Sequence, residues 1–504
     1  MGSISGGCGL FDRLKNILNK IKNLSASLDK YEKESVVQAL PSLALVNRAK
    51  KSIEKGKLEE AEKILQKALE LPQEDALVFK YLGMIYEKTG RLDEAVIAYK
   101  KSANLNNHDK DIWRLLGFAL INSGKNDEAE ESFENANKIS AMNTDVFAGW
   151  GMSLMKQKRY HEAHEKFIES VRLNKYNFMA LLLAAIMEVR TGQYNEAETK
   201  LNFLANVSPN ETNTYEYANL KYLKGDWDNA IHYALKSLEF NKNLLPSYLL
   251  LGKLYVIKGQ KENSLKMYDE AFNRELITPH LFFDWGVTLQ IYDEFQLAKE
   301  KFEKALELSG NDDEVLAGIA ISQAGCGEIE QAEKTLEKIS EIDNEIYIYK
   351  KATALIAFKK NEFENAINKF KSIQNQITFD ISLNYYIACA YEQLGDKPQT
   401  KEYFEKSLVE APYDIKRFVE YAKYLIREKE YESAQRKLRR AEKLDENNIE
   451  ILNLLFHVGY ILVKANNCEY NVRETMSIAE KIKTIDEKAF EYQSEYDDLG
   501  NMCK

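Results

Sequence analysis

The chain has 504 residues, of which 45% are hydrophobic and 29% charged, an ordinary composition for a folded protein. This length exceeds what one hydrophobic core usually serves, so we expect several domains or one repetitive array. The formal net charge of −10 excludes the basic surplus that is typical of nucleic-acid-binding proteins, and we predict no nucleic-acid partner.

Residues 1–40 are predicted to be a flexible start followed by an amphipathic helix. The first nine residues are rich in glycine and serine, which favours flexibility. Apolar residues then fall on one helical face: Leu10, Phe11, Leu14, Ile17, Leu18, Ile21 and Leu24. Basic residues dominate the opposite face. This helix, residues 10–24, is predicted either to cap the first repeat, to lie on a membrane surface or to bind a partner helix.

A small residue recurs every 34 residues from Ala61 to Ala434, with a single interval of 33 between Ala197 and Ala230. A second small residue lies twelve positions before each of these twelve marks, and a large apolar residue follows four positions after all but one. Two helices pack closely only where the facing side chains are small, and the large residue fills the space beside that contact. The pattern predicts twelve helix–turn–helix repeats over residues 41–448.

The third repeat shows the pattern most fully. Its marked residues are Trp113, Leu116, Gly117, Leu120, Ala129, Phe133 and Ala136. They resemble the tetratricopeptide-repeat (TPR) pattern W-x2-L-G-x2-Y…A-x3-F-x2-A, with leucine at the tyrosine position. The resemblance covers about four-fifths of the chain. It implies an all-α, right-handed superhelical solenoid of about twelve TPR-like repeats, with first helices along the concave wall and second helices outside.

In the TPR arrangement certain first-helix positions face the concave groove. Repeats four to six carry apolar, aromatic and amide side chains there: Met152, Met155, Met179, Leu182, Ile186, Val189, Tyr215, Asn219 and Tyr222. Methionines adapt to varied ligands and aromatic rings anchor them, so these residues are the predicted partner-binding site. The competing prediction is that tight superhelical packing buries them against neighbouring helices.

Some TPR proteins hold a peptide's C-terminal carboxylate with lysine and asparagine on adjacent first helices. The corresponding positions here pair Lys80 with Met84 and Lys351 with Leu355. These pairs do not assemble the clamp, so a C-terminal carboxylate is disfavoured as the ligand.

Residues 449–504 predict a divergent helical hairpin and a capping helix. Residues 449–465 form an apolar first helix, and residues 472–496 a longer, more polar one. A polar terminal helix would shield the last repeat from water.

Sequence motifs for catalysis are missing: there is no phosphate-binding loop, no dinucleotide fingerprint and no nucleophile elbow. His161 and His164 lie three residues apart without a third metal ligand nearby, which favours a solvated helix face. The five cysteines are scattered, which favours a reducing compartment over a disulfide framework. We predict no enzymatic activity, no cofactor and no metal.

The leading functional hypothesis is a non-enzymatic scaffold or adaptor that binds a peptide or helix of a protein partner in the concave groove. We expect it in the cytoplasm, because no apolar run reaches the roughly 18 residues that a membrane span needs. One alternative is a peripheral membrane organiser tethered by the basic helix 10–24. A second alternative is the regulatory subunit of an enzyme complex.

Overall fold

The computed structural model describes residues 41–339, 347–374, 381–466 and 469–502. The segment 1–40, with the predicted helix 10–24, lies outside the described residues. Within the described ranges the regular structure is helical, without strands. The chain divides into two compact units, unit 1 ending at Pro209 and unit 2 beginning at Asn210.

The described part of unit 1 holds five helical hairpins. Odd-numbered helices are the first helices of repeats and even-numbered helices the second. They are α1 (41–54), α2 (Leu58–Leu69), α3 (Ala76–Lys88), α4 (Leu92–Leu105), α5 (Lys110–Asn122), α6 (Asn126–Ile139), α7 (Thr144–Lys156), α8 (Tyr160–Leu173), α9 (Phe178–Arg190) and α10 (Tyr194–Val207).

Unit 2 continues the alternation through seven hairpins and ends in a further helical group. Its helices are α11 (Glu211–Leu223), α12 (Trp227–Phe240), α13 (Leu245–Ile257), α14 (Lys261–Asn273), α15 (Pro279–Ile291), α16 (Phe295–Ser309), α17 (Asp313–Gly325), α18 (Ile329–Leu336), α19 (Tyr347–Lys359), α20 (Phe363–Ile373), α21 (Leu383–Leu394), α22 (Lys397–Glu410), α23 (Ile415–Arg427), α24 (Tyr431–Glu442), α25 (Ile449–Asn466), α26 (Glu469–Asp486), a 3-10 turn (Glu487–Ala489) and α27 (Gln493–Met502).

Both units are built by the small-against-large packing that the repeat pattern predicts. Phe133 on α6 is fully buried between two glycines of successive first helices. A Cβ added at Gly117 would lie 2.6 Å from its ring, and one added at Gly149 would lie 2.5 Å away. Phe302 is held in the same way between Gly286 and Gly318 in unit 2. Each large ring therefore joins its own repeat to the next one, which confirms an all-α solenoid of stacked hairpins.

The turns inside the hairpins need a left-handed backbone. Gly56 and seven other glycines supply it at no steric cost, as at Gly259, where φ is +68°. In repeats four, eight, ten and twelve the turn residue is a lysine, aspartate or asparagine with φ between 58° and 64°. The repeat length is thus kept where glycine is missing.

The C-terminal group differs from the prediction in one respect. The long second helix expected over residues 472–496 is interrupted, because α26 ends at Asp486 and α27 begins at Gln493. The intervening Phe490 turns its ring onto Phe456 of α25, with centroids 5.1 Å apart. Asp498 of α27 then accepts a hydrogen bond from Tyr460 at 2.8 Å. Tertiary contacts with α25 therefore fold the polar segment back over the last hairpin.

Candidate partner-binding surfaces

In unit 1 the predicted apolar site lies on α7 and α9. Met152, Met155 and Ile186 are half-buried and pack against the core around Phe167. Met179 is different, because 63% of its side chain is exposed at the start of α9. These residues together present flexible apolar side chains that are only partly used by the core.

The two remaining unit 1 residues of the predicted site differ in exposure. Leu182 is 5% exposed and packs inside the unit, so it has little surface left for a partner. Val189 is half-buried near the end of α9. We therefore expect a partner to touch Val189 more readily than Leu182.

A buried carboxylate on α9 is a feature that the sequence did not signal. Glu188 is 3% exposed, and its Oε1 accepts hydrogen bonds from His164 Nε2 at 2.8 Å and Lys200 Nζ at 2.7 Å. Burial alone would raise the pKa of the Glu188 carboxyl, but the hydrogen bonds and the charges of His164 and Lys200 together outweigh burial and lower it. The group ties α8, α9 and α10 together.

This arrangement corrects the prediction that His161 and His164 share a solvated helix face. His161 is exposed, but His164 is half-buried against Glu188. The two histidines are therefore not equivalent. No group of three or more His, Cys, Asp or Glu side chains among the described residues is arranged to hold a metal ion.

In unit 2 the predicted polar part of the site lies on α11. Tyr215 and Tyr222 are half-buried against the core of the unit. Asn219, which lies between them in the sequence, is also half-buried. Burial, with Asp284 of α15 as a further cause, raises the pKa of Tyr215 to about 12 and that of Tyr222 to about 12. Both hydroxyls therefore stay protonated at neutral pH and can donate hydrogen bonds.

Asp284 itself is already paired. Its carboxylate lies 2.8 Å from the ammonium group of Lys253 on α13, and only 13% of its side chain is exposed. The first helices α11, α13 and α15 thus combine the hydroxyls of Tyr215 and Tyr222 with the carboxylate of Asp284, whose charge Lys253 neutralises.

The predicted site is divided between the two compact units. Its six apolar residues belong to unit 1, and Tyr215, Asn219 and Tyr222 belong to unit 2. The boundary at Pro209 falls inside the one interval of 33 residues, between Ala197 and Ala230. That shortened interval was the signal in the sequence from which the boundary could have been suspected.

Each first helix carries a small residue of the repeat pattern, and the residue directly after it is not equally exposed throughout the array. Met152, Ile186 and Asn219 occupy it and are half-buried. The equivalent Ile321 and Leu355 are 2% and 1% exposed. Repeat register therefore does not determine exposure, which depends on how closely successive first helices approach.

Unit 2 also contains a contact that no repeat pattern predicts. The turns of repeats six to eight meet Ile381 and the segment around the start of α23, several repeats later in the chain. We call this contact the seam. It comprises Trp227, Val256, Lys258, Gly259, Ile291, Tyr292 and Asp293 on one side, and Ile381, Ala411, Tyr413, Asp414 and Lys416 on the other.

The two described cysteines differ in their exposure. Cys326 is exposed, with Glu328 and Glu330 following it in sequence, and Cys389 is half-buried in unit 2. Burial raises the pKa of the Cys389 thiol to about 12, so it is not a thiolate at neutral pH. No helix in the described ranges is long and apolar enough to cross a membrane.

Comparisons with known proteins identify repeat families along both units. Residues 51–204 match the family model "Psidin, N-terminal TPR repeats region". Residues 245–275 and 292–355 match two models described as "Tetratricopeptide repeat". These matches fall on hairpins of unit 1 and of unit 2.

Two curated relatives are similar at low identity. The Hsp70-Hsp90 organizing protein of Triticum aestivum is 23% identical over 262 residues, which cover 50% of this chain and 44% of the relative. The TPR repeat-containing protein YpiA of Bacillus subtilis (strain 168) is 20% identical over 316 residues, which cover 55% of this chain and 74% of the relative. The chain thus spans less than half of the Triticum aestivum protein.

A solved structure shows a similar fold. The crystal structure of the APC/C hetero-tetramer Cut9–Hcn1 contains a chain that matches with a TM-score of 0.51 at 13% identity. The match covers 93% of this chain and 98% of that one.

Proposed function

Because the chain is a tetratricopeptide-repeat protein, we propose that it is a non-enzymatic scaffold that holds a segment of another protein against the first helices of unit 1. The observation that carries this proposal is the apolar surface on α7 and α9. Met179 is 63% exposed there, on the same two helices as the half-buried Met152, Met155 and Ile186. An apolar surface with unbranched, polarisable side chains suits a partner that presents apolar residues of irregular shape.

The names of similar proteins support a role in assembly. One relative is named as an organizing protein for Hsp70 and Hsp90, and the solved structure of similar fold is a hetero-tetramer. A fold does not carry a function by itself, so the surface residues of this chain carry the proposal.

The partner segment is expected to bind through apolar side chains and not through a terminal carboxylate. Lys80, at a position that a carboxylate clamp would use, lies 3.0 Å from Asp109, and both side chains are mostly buried. Asp109 also accepts the backbone N–H of Asp111 as the cap of α5. Lys80 is therefore engaged in joining two repeats.

Tyr215, Asn219 and Tyr222 are proposed as a separate polar surface of unit 2. Their hydroxyl and amide groups would fix the orientation of a bound segment through hydrogen bonds. The membrane-tether alternative depends on residues 10–24, which lie outside the described residues, and it stays a sequence prediction.

The decisive experiment compares two triple variants in pulldowns from a native lysate. Met155→Gln/Met179→Gln/Ile186→Gln alters the proposed surface, and Ile97→Gln/Leu105→Gln/Ile139→Gln alters exposed apolar residues on second helices of the same unit. Leu182 is left unchanged because its burial would make a polar substitution unfold the unit. Circular dichroism checks that both variants remain helical.

We expect a partner that the intact chain and the second-helix variant retain, and that the α7/α9 variant loses. Retention of every partner by the α7/α9 variant would overturn the proposed surface. Loss by the second-helix variant alone would place the binding site on the outer helices. The same comparison with Tyr215→Phe/Tyr222→Phe tests the unit 2 surface.

A further inference from the structure

The seam joins parts of unit 2 that are far apart in sequence by several different kinds of contact. The indole of Trp227 meets the ring of Tyr413 edge-on, with centroids 6.4 Å apart. The ammonium group of Lys258 lies 4.7 Å from the centre of the same ring. Lys416 and Asp293, 123 residues apart, form an ion pair. The seam is therefore a defined contact with matched chemistry on its two sides.

The backbone is also fitted to the seam. Gly259 has a positive φ, as other hairpin turns do, but a Cβ added there would collide with the carbonyl oxygen of Tyr413. At Gly225, which also has a positive φ, an added Cβ would meet nothing within 4 Å. Glycine at position 259 therefore serves both the turn and the close approach of a distant segment.

The seam is less completely packed than the interfaces between successive repeats. Its apolar part is small, with Val256, Ile381 and Ala411 at its centre. A cavity of about 330 Å³ lies beside it. The side chains of Lys416 and Asp293 are 50% and 39% exposed, so water and salt reach this ion pair.

Two polar atoms at the seam are buried without a hydrogen-bond partner among the described residues. They are the hydroxyl of Tyr292 and the indole nitrogen of Trp227. A buried polar group without a partner costs free energy, and this cost is recovered when water reaches the group. Opening of the seam would let water hydrate both atoms. The free energy of this hydration offsets part of the stabilisation that the contacts of the closed seam provide.

The segment that connects the two sides contains the shortest second helices of the array. Those of repeats nine and ten, α18 and α20, have 8 and 11 residues, whereas the other described second helices have 12 to 15. These two hairpins therefore depart from the regular repeat between the two sides of the seam.

We propose that the seam is a reversible latch in unit 2. In the closed state Lys416 also lies over the ring of Tyr385, at 5.8 Å, and Tyr385 interacts with the thiol of the half-buried Cys389. When the latch opens, Lys416 leaves Asp293, and water reaches the side of the first helix α21 that carries Tyr385 and Cys389. This inference goes beyond the proposed function, because it concerns contacts within unit 2 and needs no partner.

Thiol labelling of the intact chain tests the latch. Cys389 reports opening, and the exposed Cys326 reports labelling that does not depend on it. The rate of modification by N-ethylmaleimide is measured for each cysteine separately by peptide mass spectrometry. For a half-buried thiol, the part of this rate that depends on opening follows the population of the open state when closing is faster than labelling.

Lys416→Glu places a carboxylate opposite Asp293 and should open the latch. We expect Cys389 to be labelled roughly tenfold faster in this variant, with Cys326 unchanged, because repulsion replaces attraction at the seam. Asp293→Lys combined with Lys416→Glu restores the pair and should return the rate towards that of the intact protein. Lys406→Glu, at an exposed lysine of α22 outside the seam, is the control and should leave Cys389 protected.

A second measurement separates opening from unfolding. A carbodiimide joins the Lys416 amine to the Asp293 carboxylate as an amide, with loss of water, when the two groups are in contact. In protein linked at this pair, N-ethylmaleimide should modify Cys389 several-fold more slowly than in the untreated protein. No unfolded variant can mimic this slower modification. An unchanged Cys389 rate in both the linked protein and Lys416→Glu would overturn the latch, whatever the outcome of the partner pulldown.

Discussion

The two units use the same repeat but differ in how far their contacts reach along the chain. Between described residues of unit 1, hydrogen bonds and ion pairs join positions at most 35 residues apart, which is about one repeat. Unit 2 adds the seam, where Lys416 meets Asp293 across 123 residues. The described part of the first unit is therefore a linear array of neighbours, whereas the second unit closes on itself.

This difference has consequences for stability. In a linear array the free energy of unfolding is close to a sum of repeat and nearest-neighbour contributions, so damage stays local. A long-range contact couples all the repeats between its two sides, since none of them can move without breaking it. We therefore expect unit 1 to lose structure in parts and the repeats from α12 to α23 to respond together.

The largest effect is expected from removal of the large rings. Phe133→Ala and Phe302→Ala each empty a fully buried site between two first helices, which should lower the free energy of unfolding by about 3–5 kcal/mol. Hydrogen exchange should show reduced protection confined to α5–α7 for Phe133→Ala. For Phe302→Ala it should extend to the seam, because α16 lies between its two sides. Equally local effects would mean that the seam does not couple the repeats.

A smaller effect is expected at the buried carboxylate of unit 1. Glu188→Gln removes the charge that His164 and Lys200 share, and should destabilise unit 1 by about 1–3 kcal/mol at pH 7. Denaturant unfolding followed by hydrogen exchange in α8–α10 measures this change. Glu165→Gln on α8 is a control, since it removes an exposed carboxylate from the same unit.

The Glu188 effect should depend on pH with a definite sign. The pKa of this carboxyl is lowered in the folded protein, so its contribution is present above about pH 4.5 and is lost as the pH falls through the folded value. The stability difference between the intact protein and Glu188→Gln should therefore shrink below about pH 4.5. A constant difference between pH 7 and pH 3 would contradict the charge-based explanation.

The seam can be measured separately from the turn that carries it. Gly259→Ala and Gly225→Ala both force alanine into a left-handed turn, but only the first collides with a distant segment. We expect both to lose about 1 kcal/mol from the turn, and Gly259→Ala to lose a further 1–2 kcal/mol at the seam. Urea unfolding of unit 2 gives the two values, and equal values would show that the seam contributes nothing to stability.

The smallest effect is expected for an exposed ion pair between neighbouring repeats. Lys100 and Glu128 in unit 1 pair with side chains that are each 47% exposed, much like the pair at the seam. Lys100→Met should change the free energy of unfolding by about 0.5 kcal/mol or less, because solvent screens such pairs. Lys416→Met should exceed it, since that pair also holds distant repeats together. Equal, small effects of the two substitutions would show that the Lys416–Asp293 pair contributes no more to stability than an ordinary surface ion pair.

The sequence by itself determined the repeat and its packing. A 34-residue interval between small residues, with one interval of 33, is the period of stacked helical hairpins. The residues that the pattern marks, such as Gly117 and Phe133, are the ones that meet in the structure. Nearest-neighbour packing is encoded locally, so a single sequence is enough to read it. The nine predicted site residues remain a prediction, with their positions now known.

Only the tertiary structure decided which of those positions are exposed and where the array makes distant contacts. Leu182 and Met179 lie on the same helix, yet one is buried and the other is 63% exposed. Nothing in the repeat pattern of Gly259 distinguishes it from Gly225, and its collision partner Tyr413 is 154 positions away. Small rotations between successive repeats accumulate along a solenoid, and their sum sets which distant surfaces meet. A local sequence pattern does not contain this accumulated rotation, so the sequence did not predict the seam.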